Sequence, residues 1–276
     1  MPELPEVETS RRIFKPLVTG RRMEAFTATV DRLRLPLDLA AMAELLGGRR
    51  VVDLRRRAKY LLFEAPGGRA LVLHLGMTGS LYWARIGDPA DPHDRFRLAF
   101  SGRRELRLHD PRRFGSVQAV RLDRPGGEPG LFAGLGPEPL GGGFTGDYLF
   151  RFFRGRKAPV KSLLMDQRVV VGVGNIYASE GLFRAGIRPG RGAGRLTRKE
   201  CRCLVAALEE VLEEAIRAGG TSMADYAVNG KKGRYRSRLQ VYGRQDEPCL
   251  RPGCPGRVRR RVLGGRSSFY CPECQK

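Results

Sequence analysis

Residues 123–146, DRPGGEPGLFAGLGPEPLGGGFTG, place 9 glycines and 4 prolines in 24 positions. Proline removes a backbone donor and glycine raises the entropic cost of a regular element, so no strand or helix continues through this stretch. The 276-residue chain is long enough for two cores, and the break predicts one on each side. We expect an α+β protein of two domains: residues 1–122, a linker over 123–146, residues 147–243, and a small C-terminal unit over 244–276.

Upstream of the break, from Arg21 to Leu122, apolar residues recur with period two. In RFRLAF, Phe96, Leu98 and Phe100 alternate with Arg95, Arg97 and Ala99, the signature of a half-buried strand. KYLLFEAPGGRALVLHL reads as two strands around a Pro-Gly-Gly turn, and LAFSGRRELRLH as a second hairpin. The domain is expected to be an antiparallel sandwich or barrel behind one leading helix, which Pro5 opens and Pro16 closes. Glu6 and Glu8 fall in the first turn of that helix, where negative side chains favour the positive end of its dipole. Glu3 precedes the helix, so the dipole explains it less well.

Downstream, helices are expected over 147–156, 160–167, 176–185 and 198–218. Thr197 and Glu200 form a capping box for the last, and Leu204, Leu208, Val211 and Ala215 lie on one stripe. Cys201 and Cys203 point to different sides of this helix and cannot share a metal, Cys201 facing the core and Cys203 the solvent.

The four remaining cysteines form two pairs, with four residues between Cys249 and Cys254, two between Cys271 and Cys274, and 16 between the pairs. Two such knuckles on a hairpin suit one tetrahedral structural zinc, whose four thiolates leave no open position for chemistry. Arg251, Arg257, Arg259, Arg260, Arg261 and Arg266 lie between the knuckles with no acid among them. They form either a solvated charged hairpin or a ribbon whose guanidinium groups bind phosphates.

The whole chain carries 51 Lys and Arg against 29 Asp and Glu, a formal charge of +22. Such a field gathers polyanions, and nucleic acid is the leading partner. No apolar run reaches the roughly 20 residues of a spanning helix. Arg11, Arg12, Lys15 and Pro16 occupy the place of a signal peptide's apolar region, so a cytosolic, reducing compartment is expected.

MPELPEVE, HLGMTGS, DPRRFG, GVGNIYASE and VYGR, followed by the cysteine pairs, together resemble the formamidopyrimidine-DNA glycosylase family. The matches run in order from Pro2 to Gln275. The resemblance implies a bifunctional glycosylase and lyase that removes oxidised purines from damaged double-stranded DNA, acting as a monomer with one structural zinc. It also implies a helix-two-turns-helix element around GVGNIYASE and a zinc-ribbon hairpin at the C-terminus.

By the same resemblance Pro2, freed by loss of Met1, is the nucleophile, Glu3 the acid and base, Lys59 a proton donor or phosphate contact, and Arg266 an aid to strand cleavage. Met77, Arg112 and Phe114 fill the void left by an extruded base, although Met77 and Phe114 also read as strand-end core and Lys59 as one more lysine of a basic run. His74, His93, Lys157 and Asn175 match phosphate-contacting positions; His74 equally suits a structural hydrogen bond. The three histidines, counting His109, show no metal-ligand spacing. A lesion loop over about 219–238 draws on Thr221, Ser222 and Gly233. Two places depart from the family's pattern: GRYRSR at 233–238, which leaves the ranking of lesions open, and the four-residue first knuckle, where two intervening residues are usual.

Overall fold

The alternation read in RFRLAF forms a strand whose residues are alternately buried and half-buried. The computed structural model describes residues 2–124, 126–221, 229–230 and 233–276. They fall into two units, Met1–Ala133 with Ala218–Arg234, and Gly134–Arg217 with Tyr235–Lys276.

The first unit starts with helix α1 (Leu4–Val18), followed by strand β1 (Met23–Ala28), helix α2 (Leu39–Leu46) and strands β2 (Asp53–Arg57), β3 (Tyr60–Ala65), β4 (Arg69–His74), β5 (Ser80–Arg85), β6 (Asp94–Phe100), β7 (Arg104–His109) and β8 (Ser116–Arg121). The strands form two four-stranded antiparallel sheets, ordered β1-β6-β7-β5 and β2-β3-β4-β8. Phe26, Phe96, Leu98 and Leu108 from one sheet and Leu54, Phe63, Leu71 and Val117 from the other join one apolar cluster. Two sheets that share a core in this way make a sandwich. Both expected hairpins are present, β3 with β4 and β6 with β7.

Two details differ from the sequence reading. Helix α1 passes through Pro16 to Val18: a proline in the last turn forfeits only one intrahelical bond, and the buried Phe14 and Val18 hold that turn on the core. Helix α2 was hidden in the supposed period-two region because LAAMAELL is apolar at nearly every position and carries no readable period. Asp38 caps it, its Oδ1 accepting from Ala41 N at 2.9 Å, and Met42 and Leu46 are buried.

In the second unit α3 (Gly146–Phe153), α4 (Val160–Leu164), α5 (Asn175–Arg184) and α6 (Arg198–Arg217) precede a hairpin of β9 (Arg259–Leu263) and β10 (Arg266–Tyr270). The capping box is present, with Glu200 N donating to Thr197 Oγ1 at 3.2 Å and Thr197 N to Glu200 Oε2 at 2.7 Å. Cys201 is buried and Cys203 exposed. The zinc-ribbon segment clusters with the helices rather than standing alone, while residues 218–234, expected with the helical domain, return to the first unit. Thr221 pairs there with Arg234 and donates its N–H to Glu6. No helix among the described residues is long and apolar enough to cross a membrane.

Gly76, between β4 and β5, has φ +65°, and a β-carbon there would stand 2.3 Å from the backbone carbonyl carbon of Phe114. The turn carrying Met77 and the loop carrying Phe114 therefore touch through bare backbone. Gly76→Ala is expected to cost about 1–3 kcal/mol through overpacking and a strained φ. Urea denaturation checks this, and a loss within a few tenths of a kcal/mol would mean that the two loops can separate freely.

Candidate active site and nucleic-acid interface

Pro2 and Glu3 are both buried at the head of α1, Glu3 with only 2% of its surface exposed. Glu3 is the N-cap in an extended conformation, φ −106° and ψ −169°. Its backbone N–H donates to Glu6 Oε2 at 2.8 Å, and Glu6 Oε1 accepts from Thr221 N at 2.7 Å. Glu6 is itself 2% exposed, so it does more than complement a dipole: one buried carboxylate ties the chain's head to the segment following α6. Gly220 permits this approach, since with φ +84° a β-carbon on it would lie 2.9 Å from Glu6 Oε1. Glu8 instead accepts from Arg11 and Arg12 on its own helix and from Arg56 of β2.

Lys59 occupies the two-residue turn between β2 and β3, after Ala58 at φ 54°. It is buried, not one more exposed lysine of the basic run. His74, which faces Tyr60 across the β3–β4 ladder, accepts the Gly76 N–H on Nδ1 at 2.9 Å. Burial, then the charges of Lys59 and Arg34, push its pKa down from 6.5 to about 4. The ring is therefore neutral at pH 7, with its remaining proton on Nε2. The structural hydrogen bond is present, and the Nε2–H is a further donor.

Met77 and Phe114 are among the exposed large apolar residues, at 38% and 41%, so neither is strand-end core. The Arg112 guanidinium lies 4.7 Å from the centre of the Phe114 ring, within cation–π range. Asp110 shapes this loop: its buried carboxylate accepts from Gly115 N at 2.7 Å, and its backbone N–H donates to His93 O at 2.9 Å. Burial pushes the Asp110 carboxyl up, against the opposing pull of the Gly115 N–H and the Thr78 hydroxyl. His93 is exposed, its Nδ1 2.8 Å from Arg95 Nη2.

In the second unit Asn175 is the first residue of α5, whose N-terminal amides and dipole suit an anion. Its Oδ1 accepts from Lys161 Nζ at 2.5 Å and its Nδ2 donates to the Tyr242 hydroxyl at 3.3 Å. Lys161 is 1% exposed and also donates to Ser267 O at 2.9 Å and Ser268 Oγ at 2.8 Å. The same ammonium thus fixes the start of α5 to the strand that begins with Arg266. Arg266, Lys157 and the hairpin residues Arg257, Arg259, Arg260 and Arg261 are all exposed, a placement open to phosphate contact. Glu180 accepts from Gln240, Val241 and Tyr242 backbone N–H groups at 2.8, 3.0 and 2.8 Å, pinning the chain before the first knuckle.

The four cysteine sulfurs converge to within 4.8 Å of one another. Cys249 and Cys274 sulfurs are 3.8 Å apart, and those of Cys254 and Cys271 3.6 Å. A tetrahedron with Zn–S bonds of about 2.3 Å has edges of about 3.8 Å, so the donor set fits zinc and the longer first knuckle does close.

Sequence reasoning missed Lys161, Glu180 and Asp110, and understated Glu6. Their partners are backbone atoms or side chains remote in the chain, which no local spacing announces. Of the expected loop residues, Thr221 is buried, Gly233 packs against Gly219 and Gly220, and Ser222 lies outside the described residues.

Models described as the formamidopyrimidine-DNA glycosylase N-terminal domain and H2TH domain match residues 1–117 and 135–227. A formamidopyrimidine-DNA glycosylase of Thioalkalivibrio sulfidiphilus is 50% identical over 277 residues, covering 100% of both chains. The crystal structure of the MutM (Fpg) protein of Thermus thermophilus is 42% identical, with a TM-score of 0.84 over 99% of this chain and 98% of that one. A Lactococcus lactis Fpg mutant, solved with DNA containing Fapy-dG, is 31% identical with a TM-score of 0.90 over 100% of both chains.

Because the unfolded chain takes up a proton on His74 near pH 6.5 and the folded chain only near 4, this residue's contribution to stability is intact above pH 6.5 and is lost as the pH falls through that window. The loss is expected to be on the order of 2–3 kcal/mol. Urea denaturation at pH 7, 5 and 4 should show a smaller loss for His74→Gln, which cannot be protonated, than for the parent chain.

Proposed function

This chain belongs to the formamidopyrimidine-DNA glycosylase family, and we propose that it excises oxidised purines from duplex DNA and then cuts the strand by β,δ-elimination. The substrates are 8-oxoguanine and formamidopyrimidines, and the enzyme works as a cytosolic monomer.

With Met1 removed, the ring nitrogen of Pro2 is a secondary amine. It attacks C1′ of the damaged nucleotide as the glycosidic bond breaks, while Glu3 gives a proton to the sugar ring oxygen. The opened sugar remains attached as an iminium at Pro2, the covalent intermediate open to an amine nucleophile. Proton removal from the adjacent carbon then expels the 3′ phosphate and, in a second elimination, the 5′ phosphate. Glu3 moves these protons, Lys59 donates a proton or holds a phosphate, and Arg266 binds the phosphates of the lesion.

The observation that carries this reading is the burial of Pro2 and Glu3 at a chain head held by Glu6. A nucleophile attached to a fixed backbone starts with little orientational freedom to lose, and the carboxyl of the next residue is placed to pass protons to and from the same sugar. The remaining residues serve access to the base. Turning a nucleotide out of the stack costs about a few kcal/mol. Phe114 and Met77 are exposed apolar groups suited to fill the gap, and Arg112 can hydrogen-bond the partner base left behind. His74 through Nε2, His93, Lys157 and the amides at Asn175 contact phosphates. Cys249, Cys254, Cys271 and Cys274 hold one zinc, which folds the hairpin and takes no part in the reaction.

Pro2→Gly and Glu3→Gln are expected to slow release of 8-oxoguanine placed opposite cytosine by about 10²–10⁴-fold, with salt-sensitive duplex binding kept. Borohydride should trap the parent enzyme on lesion DNA through Pro2. Absence of any trapped adduct would leave a DNA-binding protein without this chemistry, and faster release of thymine glycol than of 8-oxoguanine would move the substrate to oxidised pyrimidines.

Metal analysis of dialysed protein should find one tightly held zinc per chain, lost in Cys271→Ser. Duplex affinity should then fall at least 10-fold, and its dependence on salt should flatten as the hairpin arginines disengage.

A further inference from the structure

Asp91, Asp94 and His109 lie far from any metal-ligand spacing in the sequence, yet one potential ligand atom from each falls within 4.8 Å of the others. The β6–β7 ladder places Asp94 opposite His109. Asp94 is fully buried, and its two oxygens are treated unequally. Oδ2 accepts from the Tyr82 hydroxyl and from Asp91 N at 3.1 Å, and lies 3.5 Å from Arg107 Nη1. Oδ1 has no hydrogen-bond partner among the described residues. It faces His109 Nδ1 at 3.9 Å, and that nitrogen is 3.3 Å from Asp91 Oδ1.

A buried carboxylate oxygen without a donor is costly, and such an atom commonly marks a missing ion or water. The facing groups, two carboxylates and one imidazole, suit a cation. Asp94 and Glu105 flank one buried guanidinium, Arg107, which is already engaged by Glu105 and by the carbonyls of Asp88 and Pro89. Asp91 and His109 also line an open surface recess together with Ser80, Tyr82, Pro89 and Asn229. An ion therefore has a route in and room for water ligands.

We propose that Asp91, Asp94 and His109 form a second metal site, binding one divalent transition-metal ion of the Mn²⁺ or Zn²⁺ class. One imidazole nitrogen with two carboxylates favours such an ion over Mg²⁺ or Ca²⁺, which prefer all-oxygen shells. Three protein ligands leave positions open on the recess side, unlike the closed four-sulfur site. The ion ties the start of β6 to the end of β7, directly before Asp110 and the loop that carries Arg112 and Phe114. Neither the site nor its test depends on the repair activity.

Protein dialysed so that only the four-cysteine zinc remains is titrated with Mn²⁺, and free Mn²⁺ is followed by electron paramagnetic resonance. One further ion per chain is expected, competed by Zn²⁺. His109→Gln and Asp91→Asn should each weaken uptake at least 10-fold while the four-cysteine zinc is retained. The Asp91 side chain is 47% exposed, so Asp91→Asn keeps the test valid should His109→Gln fail to fold. No uptake by the parent protein would overturn the proposal. Uptake undiminished in Asp91→Asn would overturn it equally, by locating the ion elsewhere.

Discussion

The Glu6 carboxylate is the contact on which the position of the chain's first residues depends. It accepts from the N–H of Glu3 and from the N–H of Thr221, the latter 215 residues away from Glu6 in sequence. Charge-assisted bonds of this kind are worth about 1.5–3 kcal/mol each, and leaving the acceptor buried without them would cost more. A chain terminus ordinarily frays. Here a buried carboxylate removes that freedom from Pro2 and Glu3, and the backbone of Gly220 comes close enough to complete the clamp only because it has no side chain.

The second unit repeats this solution with one buried group of each charge. Lys161, buried with three oxygen acceptors, joins Asn175 to Ser267 and Ser268, and Glu180 collects three backbone donors from 240–242. Burying a lone charge is expensive, so such groups persist where their geometry fixes something that apolar packing would leave loose. What they fix is the start of α5 and the root of the arginine-bearing hairpin. The surface arginines supply attraction without direction, and the buried ions supply the registry that gives the attraction a shape.

Much of this was legible in the sequence. The Gly/Pro-rich stretch marked the change of architecture, period two gave the hairpins, and the cysteine spacing gave a four-sulfur cluster, because each of these signals is local. The reading failed where locality failed. LAAMAELL showed no period until Met42 and Leu46 had a core to face, and Pro16 looked like a stop although the last turn was held by packing. Glu6 looked like a dipole partner, Lys161 like one more residue of a helix, and His109 like an isolated histidine.

The sequence by itself determined which segments can be strand, helix or breaker, the sign and size of the charge, and the residue types available for chemistry, since these depend on neighbours within a few positions. The tertiary structure alone decided which of those residues are shut off from water and which are left exposed: Glu3, Lys59 and Lys161 buried, Met77 and Phe114 outward. It also decided which atoms distant in the chain meet, as at Glu6 with Thr221 and at Asp94 with His109. Burial and long-range contact set the cost of a charge and the position of a proton, and both follow from how the whole chain packs.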